Sequence, residues 1–317
     1  MFFFSPSTKD IGSKIVGVSR EEHSIQCRIL SHAFLAQAMV EQEPIMRGYV
    51  DKLFAGLRNA YRNENGLHPV ERTSWLIWLT FDVVGDLALG EPFGCLENST
   101  YQAGVSLTFD LPNGKPAEQL SRNPESLNRL KNEIRSAYEG EADIGLVNTQ
   151  GLKDVNAVVN ESLRIHTPVS GSGPRIAALS GTTIIGHYIP ENTSVGINIW
   201  AVHHDLNSFT LPESFVPERW SGDRRFANDE LDAVESFSTW PRNFLGKKEA
   251  GIGAGSLPSR ESAQAKNQVA YRSLACAQIR MVLARLVCNF DLRIFHDKDW
   301  VVDQKAFTFW DKPQLRV

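Results

Sequence analysis

Over most of its length this chain repeats apolar residues every three or four positions. That spacing puts them on one face of an α-helix and commits the fold to packed helices. In residues 20 to 60 the pattern runs through Ile29, Leu30, Ala33 and Phe34 before Pro44, and through Tyr49, Val50, Leu53 and Leu57 after it. Proline has no backbone N–H to give a helix, so the spacing predicts two helices broken near Pro44. Residues 71–96, dense in Trp, Leu and Val, predict a buried helix ending near Gly90, with a turn at Glu91-Pro92. From Asn123, helical spacing returns through Leu127, Leu130, Ile134 and Ala137, with Pro124 placed in a first turn. Residues 152–167 predict a further helix that stops before Pro168. The last one, within residues 273–290, carries Leu274, Ile279, Val282, Leu283, Leu286 and Val287 on an apolar face.

Other stretches break this pattern. Residues 173–205 are rich in β-branched, glycine and turn residues, which predicts short strands and hairpins, and residues 291–317 alternate like a terminal hairpin. Residues 97–120 hold Pro112, Asn113-Gly114 and Pro116, a density that predicts a loop or seam. The expected fold class is therefore mainly α with a small β-sheet region. At 317 residues, 42% of them hydrophobic, the chain can bury a substantial core. A net charge of -4 with a pI near 6.1, and no block of like charge, gives no electrostatic reason to expect nucleic acid or an anionic surface as partner. A small molecule or a protein is the expected partner. Cys27, Cys95, Cys276 and Cys288 are scattered and form no CxxC pair, which fits a reducing compartment. The opening residues, three aromatics followed by Ser-Pro, predict neither a membrane span nor a secretory signal.

The sharpest local motif is Glu161-Ser-Leu-Arg164, because a three-residue offset on a helix brings a carboxylate and a guanidinium to one face. Alone it describes a common solvated pair. Its ordered company changes that: Pro174-Arg175 follows, then Phe-Val-Pro-Glu-Arg-Trp ending in Arg219 and Trp220, then Phe-Ser-Thr-Trp-Pro-Arg-Asn-Phe-Leu-Gly-Lys over residues 237–247, then the final helix. That order resembles the cytochrome P450 family, the heme-thiolate monooxygenases, and particularly their fungal members. The resemblance implies a buried charged triad of Glu161, Arg164 and Arg219, and a cofactor loop built on Phe237, Trp240, Arg242, Phe244 and Gly246. Such a triad survives burial only if every donor and acceptor is paired. By the same resemblance His23, Arg28, Arg175 and Arg242 are the candidates to meet the heme propionates, with Cys27 standing where many relatives carry another basic residue.

Phe244 occupies the place where the family presents the cysteine thiolate to iron, so no metal ligand is expected there. In this class the thiolate pushes electron density toward iron and favours O–O cleavage; a phenyl ring has no lone pair to give. Trp240 stands for the glycine that lets the loop pass close beneath the porphyrin. Cys276 lies on the final helix, and Cys95 and Cys288 sit in apolar surroundings and are expected as core thiols. His203-His204-Asp205 is expected as a connector rather than a metal cluster, since adjacent histidines in a strand or turn point apart.

Residues 248–272 read as an insertion, because deleting them restores the family's spacing between the loop and the final helix. The central oxygen-binding helix and the N-terminal anchor region of the family are expected to be missing, leaving Thr108 as the nearest echo of a proton-relay residue. The whole chain is thus expected as one incomplete P450-like domain over residues 1–317. The resemblance implies oxygen insertion into a small apolar metabolite, a heme cofactor, an NADPH-dependent reductase as partner, and attachment to the endoplasmic reticulum. With Phe244 in place the activity is expected to be lost or severely impaired and heme binding impaired, and without an anchor the location is expected to be cytoplasmic or is left open. The alternative is a non-catalytic binding protein that keeps the helical scaffold.

Overall fold

The computed structural model describes residues 20–30, 36–63, 72–99, 115–171, 175–177, 180–236, 274–292, 305–306 and 310–311. The insertion at 248–272 lies outside them, as do Thr108, Trp240, Arg242 and Phe244.

Helices dominate. α1 spans Arg20–Leu30, α2 Ala36–Asn63, α3 Arg72–Leu89, α4 Cys95–Asn98, α5 Lys115–Arg122, α6 Pro124–Ala137 and α7 Lys153–Ile165. Short antiparallel ribbons follow: β1 (Arg175–Ile176) pairs with β4 (Ser194–Val195), and β2 (Thr182–Ile184) with β3 (His187–Ile189). α8 (Ile199–His203) leads into a run of single-turn 3-10 segments, and α9 spans Leu274–Asn289. A last antiparallel pair joins β5 (Lys305–Ala306) to β6 (Trp310–Asp311). Among the described residues no helix is long and apolar enough to cross a membrane.

The core lies where α2, α3, α6, α7 and α9 meet. Val50, Leu53 and Phe54 of α2, Leu79 of α3, Leu130 and Ile134 of α6, Val155 and Val158 of α7, and Met281 and Val287 of α9 share one apolar cluster. Aligned burial of this kind explains why the proline break expected at Pro44 is absent: α2 continues through Pro44 as a single 28-residue helix. An interior proline costs a helix about 3 kcal/mol. The buried face from Met46 to Leu57 outweighs that, since each fully buried large apolar side chain contributes roughly 1.5–3 kcal/mol.

Three more local outcomes differ from the sequence pattern. Residues 115–122, expected in a loop, are helical because Pro116 falls in the first turn, where its missing N–H is harmless. Ile199–His203 is a helix rather than strand or turn, started by Asn198, whose side chain accepts the Ala201 N–H at 3.0 Å. α9 is buried on every side from Cys276 to Val287, not on one face alone. It packs against α2, α6 and α7, and Arg285 is admitted to the interior by pairing with Asp51 of α2 and by donating to the Ile144 carbonyl at 3.2 Å.

Other ends follow the sequence. α3 stops at Gly90, whose φ of 82° places it in the left-handed region and whose N–H donates to the Asp86 carbonyl at 2.9 Å. α7 lacks a capping side chain of its own, and Glu133 of α6 supplies one: its carboxylate accepts the N–H groups of Lys153 and Val155. Glu133→Ala is therefore expected to lower stability by about 1–2 kcal/mol. Urea unfolding followed by circular dichroism reads this directly, and a midpoint matching the parent chain would contradict the role.

Candidate functional site

α7 holds the centre of the site. Glu161 and Arg164, three residues apart, leave the helix on one face, and Arg164 grips the carboxylate with two parallel bonds: Nε donates to Glu161 Oε2 at 3.0 Å and Nη2 to Oε1 at 2.8 Å. Both side chains are completely buried. The remaining Arg164 donors reach backbone carbonyls, Nη1 to His203 and Pro212 at 2.7 Å each and Nη2 to Ser214 at 3.1 Å. A single guanidinium thus ties α7 to α8 and to the irregular segment beyond it.

Glu161 is saturated in the same way. Oε1 also accepts the Val216 N–H at 3.0 Å, and Oε2 accepts the Trp220 indole N–H at 2.8 Å. Arg219 approaches from the turn at Pro217–Ser221, with Nε 3.4 Å from Glu161 Oε2. Glu161, Arg164 and Arg219 therefore meet in one buried cluster.

Two cations around one anion would leave a net positive charge in the interior, and Asp229 removes it by pairing with Arg219 Nη1. Asp229 is held in turn by the Thr210 N–H at 2.8 Å, while Arg219 Nη2 donates to the Thr210 carbonyl at 2.8 Å. Aromatic rings pack against both cations: Arg219 lies 4.7 Å from the centroid of Phe226, and Arg164 lies 5.3 Å from that of Phe209. Burial pulls the Arg219 guanidinium below its usual range, an effect opposed by Glu161 and reinforced by Arg164. The cluster is a charge-balanced quartet.

His203 adds a further strut. It is fully buried, with Nδ1 3.0 Å from the Arg164 carbonyl and Nε2 accepting the Glu235 N–H at 3.2 Å. A carbonyl can only accept and an N–H can only donate, so the ring is neutral with its proton on Nδ1. Burial chiefly, with the charge of Arg164 in the same direction, pushes its pKa down to about 4. Ser236 donates its hydroxyl to the Leu163 carbonyl at 2.9 Å. Ser236 is thereby fastened to the carboxyl end of α7.

The other candidates are dispersed over the described structure. His23 is buried on α1, beside the half-buried Cys27; Arg28 is exposed on the same helix; Arg175 is half-buried on β1. His204 stacks on Trp200 with centroids 4.3 Å apart and turns Nδ1 to the Trp200 carbonyl at 2.8 Å, so the two neighbouring histidines have separate partners. Among the described residues no group of three or more His, Cys, Asp or Glu side chains could hold a metal ion. Asp229, Phe209 and Phe226 were missed by sequence reasoning, and His203 was read as part of a connector.

The assembled cluster joins a helix carrying Glu-x-x-Arg to an arginine delivered by Pro-Glu-Arg. The family model for cytochrome P450 matches residues 118–250. A trichothecene C-15 hydroxylase of Fusarium sporotrichioides is 34% identical, the alignment covering 98% of this chain and 77% of that protein. The chain belongs to the cytochrome P450 family. Two further relatives are the cytochrome P450 monooxygenase prhB of Penicillium brasilianum, 27% identical over 96% of this chain and 75% of that protein, and the monooxygenase astJ of Aspergillus oryzae, 26% identical over 99% and 76%. The alignment with the hydroxylase runs over 406 positions, more than the 317 residues present here, so that P450 carries residues with no counterpart in this chain.

Membership in the P450 family implies a heme cofactor, a small-molecule substrate and a redox partner. The cofactor loop expected over residues 237–247 lies outside the described residues. Of the four cysteines, Cys95 and Cys276 are buried in the helical core, Cys288 is on α9, and Cys27 faces His23.

Proposed function

We propose that this P450 is a scaffold that has lost the family's monooxygenation and was built for oxygen insertion into a small, apolar secondary metabolite. The single observation behind the loss is Phe244. A phenyl side chain supplies neither the electron density that the cysteine thiolate gives to iron nor an anchor for the cofactor. Support for the ancestral reaction comes from the relative named for hydroxylating a trichothecene at C-15 and from the fungal monooxygenases of similar length coverage.

The test is spectroscopic. Purified protein incubated with hemin, reduced and exposed to carbon monoxide is expected to give no thiolate-type Soret band, and a clear band of that type would overturn the loss of function.

A second reading, a non-catalytic binding protein on the same scaffold, is favoured by one feature: the quartet of Glu161, Arg164, Arg219 and Asp229 is complete without any residue of the cofactor loop. On that reading the chain unfolds in one cooperative transition in the absence of heme, monitored by circular dichroism. A broad, non-cooperative melt would remove it.

A further inference from the structure

We draw no further inference here: the strongest candidate, the surface patch at the tip of the β2–β3 hairpin, where Ile185 stands 93% exposed in the left-handed region between the exposed Ile184 and Tyr188, carries nothing because nothing in the structure shows what covers it.

Discussion

Glu161→Ala is expected to cost at least about 3–5 kcal/mol of stability, because it leaves two arginines facing each other in the interior with only Asp229 to balance them. The loss extends beyond one ion pair. The carboxylate accepts two bonds from Arg164, one from the Val216 N–H and one from the Trp220 indole, and alanine orphans all four donors at once. Domains commonly have about 5–15 kcal/mol in hand, so the variant is expected to be mostly or wholly unfolded at modest temperature. Asp229→Asn removes one charge but keeps a group able to accept the Thr210 N–H, and it is expected to cost less, about 1–3 kcal/mol. Urea titrations of the parent chain and both variants give the ranking. A Glu161→Ala midpoint close to the parent's, or a larger loss in Asp229→Asn, would show that the carboxylate is not the hub of the cluster.

The legibility of this cluster in the sequence was uneven for physical reasons. Glu161 and Arg164 share a helix, so a fixed three-residue offset determined their meeting before any tertiary structure was known. Arg219 was reachable only through the resemblance to a family, since nothing in the intervening strands, turns, loops and short helix fixes where Pro217–Ser221 lands. Asp229 had no signal, because an aspartate in an irregular segment looks alike whether it solvates a turn or balances a buried cation. His203 was visible as a residue and misplaced as an element: β-branched neighbours suggested strand, whereas the Asn198 side chain started a helix. The helices were legible wherever burial followed the 3.6-residue period, as in α6 and α7. They were misjudged at Pro44 and Pro116, where tertiary packing and position within the first turn decide whether a proline breaks or begins a helix. α9 was misread for the converse reason, since Arg285 looks like a solvent-facing residue until Asp51 and the Ile144 carbonyl are in place.

His203 carries the second large expected effect, a loss of stability on acidification. Its pKa is depressed to about 4 in the folded chain against about 6.5 when unfolded, so between these values the unfolded state binds a proton that the folded state refuses. Stability must then fall as pH falls from about 6.5 to 4, at up to about 1.4 kcal/mol per pH unit and about 3 kcal/mol in all, with no further loss from this group below pH 4. The cause is structural. A proton on Nε2 would displace the Glu235 N–H and set a second cation against Arg164, with Glu161 already committed to its own partners and the neighbouring His204 unable to offset it. Other groups also titrate in this range, including His204, whose pKa burial lowers as well, so the decisive quantity is a difference between two proteins. His203→Gln is expected to be less stable than the parent at pH 7, where it gives up the fitted ring. That deficit should shrink by about 2–3 kcal/mol at pH 4.5, because only the parent must exclude a proton there. Parallel urea titrations at the two pH values measure it, and a deficit that stays constant would mean His203 is free to protonate in the folded chain, contrary to its place between the Arg164 carbonyl and the Glu235 N–H.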